Sequence, residues 1–494
     1  MSDLPLATAT ADSPTSASSA GAATPTGRLG RLRSAPFLRP LADRDYRLFW
    51  GGESISVLGD QFHFVALAWL VLQLTGSGLA LGTVLTAAAI PRVILILVGG
   101  AIADRIEPKM LIFRSNALRA LVVGVVAALI ISGRVEIWQL VIIAVIFGAV
   151  DAFFYPAVST FLPLLVPSER LAAANGLFQA TSQLLGLIGP AVAGITVALI
   201  GTSLAFVLDA ASFAVAAVAI TLVHGGLRAT VMRRAAAAAE DQGAAVEAPN
   251  VGGDGPGFAI DASASGAVDA AEMAAAGTVT IAPETQASVW QSIREGASYT
   301  FRDPALRTLL VLAAALNFSF TGPISVGLPW LAANRFGAGS AGFGIMLSGF
   351  GAGALIGAVL AGSIKPFRHR GAVLLGIAAL LGVGLGLIGI APDVPIVTVL
   401  MFGMGLGVGF INVIVVTWIQ QRTDTAILGR VMSLMMLGSQ GLAPFSLVVT
   451  GVLIDAQPTF VFVAAGVLIL VAVGLGVLWR ADRVLGSDPE PAVA

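Results

Sequence analysis

Glu53, Ser56, Asp60 and His63 are spaced by three, four and three residues, which sets two carboxyls, a hydroxyl and an imidazole on one face of a helix. Such groups in an apolar helix can take up and release protons, imidazole near neutral pH. Arg92, Arg119, Asp151 and Asp209 likewise interrupt apolar stretches. Ionisable groups in such stretches are costly, so each is a functional hypothesis by default. At about 1.5 Å of rise per residue, Asp60 is roughly 20 Å in from Arg47 and Arg92 roughly 18 Å in from Asp104, so the two reach similar depth and can pair. Arg119 and Asp151 can form a second pair or a network with Glu53. Asp60, Asp151, Glu53 and His63 are therefore proton-coupling candidates, and Arg92 and Arg119 buried ion-pair candidates. Plainer readings stand beside these: a permanent structural pair for Asp60 and Arg92, and a satisfied hydrogen-bond donor for His63. Asp209, placed close to the end of its span, reads as a solvated structural group. Tyr155 is one turn from Asp151 and can bond to it or to a bound molecule. Gln179, Gln183, Asn317, Asn412 and Gln440 are the neutral polar candidates for lining a cavity, although Asn also serves to join helices.

The elements that must position these groups are membrane helices. Hydrophobic residues make up 57% of the 494 and charged residues only 11%, and the mean hydropathy is +0.91, beyond the range of soluble domains. Twelve apolar stretches start near Leu48, Leu79, Leu111, Ile137, Leu171, Ser203, Leu309, Ala341, Ala372, Pro395, Val431 and Phe460. They are continuous and long enough to span as helices, unlike the short alternating segments of a barrel. Lys and Arg collect in alternate loops, with Arg134 and Arg335 the exceptions, so both termini are expected to be cytoplasmic. A net charge of −1 argues against nucleic acid as a partner, and the absence of cysteine removes disulfides and thiolate metal sites. No metal or cofactor is expected.

Residues 1–40, rich in Ala, Ser, Thr and Pro, read as a disordered cytoplasmic tail without a leader peptide. Residues 41–223 form one six-helix half and 306–481 the other. Between them, 224–305 read as a cytoplasmic linker with an amphipathic helix near 289–305, and 482–494 as a second tail. A shift of 261 positions superposes Leu67, Trp69, Leu70, Gly76 and Gly78 on Leu328, Trp330, Leu331, Gly337 and Gly339. Two halves repeating in parallel imply a binding site between them near the midplane.

After the second span the chain reads Gly100-Ala-Ile-Ala-Asp104-Arg105-Ile-Glu-Pro-Lys109, and the fifth contains Gly186-Leu-Ile-Gly189-Pro190-Ala-Val-Ala-Gly194. The first resembles the loop signature between helices two and three of the major facilitator superfamily, except at Glu107 and Pro108. The second is similar to the glycine-proline motif of its drug-exporting antiporters. With Arg47-Leu-Phe-Trp50, Ser115-Asn-Ala-Leu-Arg119-Ala, Pro167-Ser-Glu-Arg170 and Gly429-Arg430-Val-Met-Ser433, these runs resemble the branch that contains macrolide-efflux and siderophore-export permeases.

The resemblance implies an all-α, twelve-helix fold and proton-coupled export of drug-like or secondary-metabolite molecules from the cell by a monomer in the plasma membrane. A siderophore or lysolipid cargo, a proton-driven importer and a non-transporting membrane sensor remain as alternatives. No Gly-Lys-Ser or Gly-Lys-Thr nucleotide loop is present to drive transport by other means, and no nucleophile constellation suggests an enzyme.

Overall fold

A computed structural model of the protein describes residues 36–103, 106–224, 298–364, 370–423, 431, 434–435 and 437–478. Among the described residues there is no strand. Eleven helices are long and apolar enough to cross a membrane. They are α1 (Arg44–Thr75), α2 (Gly78–Ala103), α3 (Pro108–Ile131), α4 (Ile137–Phe161), a merged helix Ser168–Leu222, α7 (Pro304–Arg335), α8 (Gly339–Ser363), α9 (Arg370–Ile390), α10 (Val394–Arg422), α11 (Leu437–Ile454) and α12 (Pro458–Leu478).

The merged helix counts twice. Its 55 residues would extend about 80 Å at 1.5 Å each, more than twice a hydrocarbon core of about 30 Å. Gly201 at φ 84°, ψ 168° breaks it, in a backbone region that only glycine enters at little cost. We label the part before Gly201 α5 and the part after it α6, which gives twelve spans.

Helix ends follow local chemistry. Asp303 caps α7, accepting hydrogen bonds from the Ala305 and Leu306 amides at 2.8 and 3.4 Å, and Asp393 caps α10 through the Ile396 amide. A proline follows each within the first turn, where its missing amide costs nothing. Glu136 and Gln139 form a reciprocal capping box at α4. The sequence repeat has a backbone cause as well: Gly76 and Gly337, equivalent under the 261-residue shift, turn the chain after α1 and α7 with φ of 64° and 60°. α7 itself contains Pro323 and Pro329 and passes through two π turns, Pro323–Gly327 and Leu331–Arg335.

The chain enters α1, α3, α5, α7 and α9 at one end of the bundle, here called the basic end because Arg44, Arg47, Lys109, Arg170 and Arg370 lie there. The other is the far end. Hydrogen bonds between the halves cluster toward the far end, along α2 with α11 and α5 with α8. Thr86 donates to the Pro444 carbonyl, Ser340 to the Gly194 carbonyl, and the Ala191 amide to Ser348 Oγ.

Within the expected tail, Pro36–Ala42 forms a 3-10 helix whose Leu38 and Leu41 pack on the Tyr46 and Phe49 cluster. The second half starts at Pro304 on its Asp303 cap, and 298–302 are helical. Residues 1–35, 225–297 and 479–494 lie outside the described residues, and with them most of the linker and both tail ends.

Candidate functional site

α1 carries the site because its face of small and polar residues turns inward. Glu53, Ser56 and His63 are buried, at 2%, 1% and 8% exposure; Asp60, on the same face, is part-buried. The basic end of α1 is fixed to α5. The Tyr46 hydroxyl donates to the Ala174 carbonyl at 2.8 Å, and Trp50 Nε1 donates to Thr181 Oγ1 at 3.1 Å. Trp50 is thus an interhelical donor as well as a bulky anchor.

α3 and α4 supply the charges opposite. The Arg119 guanidinium binds the Asp151 carboxylate directly and lies 4.3, 5.4 and 5.5 Å from the rings of Phe154, Phe147 and Phe213. An ion pair kept from water in this way draws on the ring faces for part of its stabilisation. Arg92 does not pair with Asp60 as its depth suggested: its Nη1 lies 4.0 Å from Asp151 Oδ2. Depth along a helix fixes height in the membrane but not azimuth, and α2 turns Arg92 toward α4. Asn116, one turn before Arg119, donates to Glu53 Oε1 at 3.1 Å and faces the Ser56 hydroxyl at 3.5 Å.

Asp209 overturns its expected solvated placement. The turn at Gly201 is so tight that Asp209 lies about 12 Å into the span. It is fully buried and bonds His63, with Oδ2 3.0 Å from Nδ1. The imidazole stacks on Phe147 at 4.2 Å and meets Phe206 edge-on. Three of the four acids in this cluster are therefore held: Asp151 by Arg119, Glu53 by Asn116 and Asp209 by His63. Asp60 stands in the field of Arg119, Asp151, Asp209 and His63, yet makes no hydrogen bond with a described residue.

The glycine-proline motif packs helices. Gly189 lies against the Gln61 side chain of α1, Gly194 against Ser340 and Gly344 of α8, and Gly344 in turn against the Pro190 carbonyl. Gly186 has open space where a side chain would start. From the loop signature, Lys109 Nζ donates to the Val223 carbonyl at 2.6 Å and the Thr221 carbonyl at 3.4 Å, capping α6 at the basic end. Asp104 and Arg105 lie outside the described residues; Gly100 falls within the α2 backbone.

Of the cavity candidates, Gln179, Gln183, Asn412 and Gln440 are exposed. Asn317 is part-buried and its amide donates back to the Ala313 carbonyl at 3.0 Å. The side chain of Tyr155 lies outside the described residues.

The far end is closed by a residue that sequence reading missed. Asp455, following α11, accepts from Ser77 Oγ and the Gly78 amide at 2.7 Å, from the Leu79 amide at 3.3 Å and from Trp330 Nε1 at 2.8 Å. It thus ties the start of α2 to α7 and α11, placing a negative charge where the helix dipole favours one. Burial works to raise its pKa, but the Gly78 amide, the Ser77 hydroxyl, the Leu79 amide and the Trp330 indole outweigh it and hold the carboxyl below its ordinary value. Asn334 reaches the Gly76 carbonyl beside it at 3.5 Å.

Twelve membrane helices in two repeating halves, with a charged cluster buried in one half and the halves joined at one end, define a transporter that works by moving its halves against each other. The Major Facilitator Superfamily model matches residues 49–443 and 309–493, and the chain belongs to that superfamily. It is 26% identical over 442 residues to the multidrug efflux pump Tap of Mycolicibacterium fortuitum, covering 87% of this chain and 95% of that one. It is 20% identical over 387 residues to macrolide efflux protein A of Streptococcus pyogenes, covering 78% and 83%. Among solved structures, the nucleoside transporter NupG aligns with a TM-score of 0.59 at 12% identity, covering 88% of this chain and 99% of that one. A peptide transporter of the POT family aligns at 0.60 and 16%, covering 89% and 95%. These likenesses show the fold.

Proposed function

We propose that the protein is a proton-coupled exporter of drug-like or secondary-metabolite small molecules, that it works as a monomer in the cell membrane, and that Asp60 is its coupling acid. The observation that carries the reading is the isolation of Asp60. Its carboxyl sits halfway along α1, part-buried and without a hydrogen-bond partner among the described residues, while Glu53, Asp151 and Asp209 are each engaged. A group free to gain and lose a proton without breaking a partner's bond is suited to coupling. The relatedness to efflux pumps over most of the chain supports outward transport.

Both termini and the linker face the cytoplasm in this reading, since basic loop residues collect on the cytoplasmic side. The far end is then the outer face, which the Asp455 contact closes in the present conformation. Cargo enters from the cytoplasmic side past Gln179 and Gln183, which line α5 where Gly186 leaves room, with Asn412 and Gln440 contributing from the other half. Protonation of Asp60 in the outward-facing state and release of that proton in the inward-facing state bias the two states in opposite senses. Arg119 and Asp151 hold α3 to α4 through the cycle, with Arg92 at their edge. The loop signature with Gly100, Asp104, Arg105 and Lys109 serves as the conformational motif in this reading.

Proton release on cargo binding tests the reading. Erythromycin or ethidium added to the purified protein in weakly buffered detergent should release protons from the wild type and none from Asp60→Asn. Equal release from both would overturn Asp60 as the coupling acid.

A lysolipid cargo is favoured by one feature, a mostly apolar groove between α7, α11 and α12, lined by Phe318, Pro323, Val449, Leu453 and Leu468 with Ser446 and Thr450. Transport of a spin-labelled lysolipid by the reconstituted protein, unaffected by erythromycin, would favour it over the drug reading.

A further inference from the structure

Asp209 is fully buried, and its Oδ1 has no hydrogen-bond partner. That oxygen faces the backbone of α1 at Gly59, where even one added carbon would meet it and the neighbouring Ser212. Leaving a carboxylate oxygen unbonded in such a place is costly. Oδ2 is held by His63 Nδ1 at 3.0 Å, and the ring is clamped between Phe147 and Phe206. A purely structural bridge between α1 and α6 needs no titratable ring. The arrangement does place an imidazole one helical turn from Asp60 on the same face, on its far-end side.

We infer that His63 and Asp209 form a second proton-binding site that loads Asp60 from the far end. The inference rests on the reading of Asp60 as coupling acid. In the outward-facing state the neutral His63 ring takes one proton at Nε2 from water admitted at the far end. Nδ1–H continues to donate to Asp209, which stays anionic and stabilises the imidazolium. The ring then gives that proton to the Asp60 carboxylate, leaving His63 neutral and Asp60 protonated. One proton enters and one is passed on; Asp209 sets the tautomer and orientation and is a positioning residue.

The charged groups that face the pair support this order. Asp60 on the same helix is the acceptor. Arg119 on α3 lies in the field of both Asp209 and Asp60, and Asp151 on α4 already answers Arg119. α8, which meets α1 through Phe64 and Phe343, has no ionisable residue between Gly339 and Ser363. Arg92 on α2 is turned to Asp151 at 4.0 Å, and Glu53, three turns from His63 on α1, is held by Asn116, which leaves Asp60 as the carboxyl within one turn of the ring.

The test uses the full chain in proteoliposomes with erythromycin as probe and ethidium as a second. Initial transport rates are measured while the pH on the proton-donating side is varied and the other side is fixed. His63→Gln and Asp209→Asn should each require about a tenfold higher proton concentration for half-maximal rate, and Asp209→Glu should restore the profile in part. Each variant's probe exchange without a pH gradient reports that it is folded. Reduced rates with an unchanged pH profile in both variants would overturn the inference and leave Asp60 standing. Proton-driven transport retained by Asp60→Asn would instead remove the reading on which the inference rests.

Discussion

Arg119 binds Asp151 across the α3–α4 boundary beneath three phenyl rings. The pair is a fixed point around which the other charged groups arrange, because breaking it would strand a charge in a low-dielectric interior.

Arg119→Met should therefore destabilise the protein by about 3–5 kcal/mol, the usual cost of removing one partner from a buried pair. Arg119→Met combined with Asp151→Asn should recover much of that loss, since no net charge is left behind. Thermal unfolding of the detergent-purified variants measures both. Equal melting temperatures for the single variant and the wild type would show that the pair contributes little.

Gly344→Val should disfavour the closed far end. A side chain there would run into the Pro190 carbonyl, with Ala191 Cα 3.2 Å from its first carbon, and helix backbones cannot yield as a flexible side chain can. Spin labels at Leu199→Cys and Val399→Cys, both exposed on opposite halves, should report a longer mean distance in the variant. An unchanged distribution would mean that the α5–α8 contact does not control closure.

Asp455 makes a pH prediction whose sign follows from its lowered pKa. A carboxyl with a depressed pKa stabilises the closed far end in full above its ordinary value of about 3.9 and loses that contribution as pH falls through the lowered value. The Asp455 contribution to closure should thus be insensitive to pH around neutrality. Asp455→Ala should raise the outward-open fraction at every pH in that range, read by the same spin labels. A difference in closure between wild type and Asp455→Ala that shrinks between about pH 8 and 5 would contradict the assignment.

Gly201→Ala should cost about 1–2 kcal/mol, because φ 84° lies where a Cβ clashes with its own backbone. The loss should appear as a lower melting temperature with transport retained. A neutral substitution would mean that the α5–α6 turn adopts another backbone.

The twelve spans and their pairing into halves were legible because length and hydropathy alone decide what can cross a bilayer, and the Gly76 and Gly337 repeat reflects a shared left-handed turn. The inward face of α1 was legible from spacing. What failed was azimuth. Arg92 matched Asp60 in depth but points to Asp151, since neighbouring helices rotate independently of height. Asp209 was misplaced because a one-glycine turn at Gly201 shortens the loop that was assumed to precede α6. Asn116 could have been found, standing one turn from Arg119 within a run already noted. Asp455 gave no such signal: an acid just beyond a span reads as loop until α2 is seen to start on it.

Proton-driven transport by Asp60→Asn is the most direct measurement of the central claim. In proteoliposomes carrying a pH gradient, the wild type should accumulate erythromycin against its concentration gradient, whereas Asp60→Asn should exchange the probe across the membrane without concentrating it. Accumulation by the variant equal to that of the wild type would contradict the account.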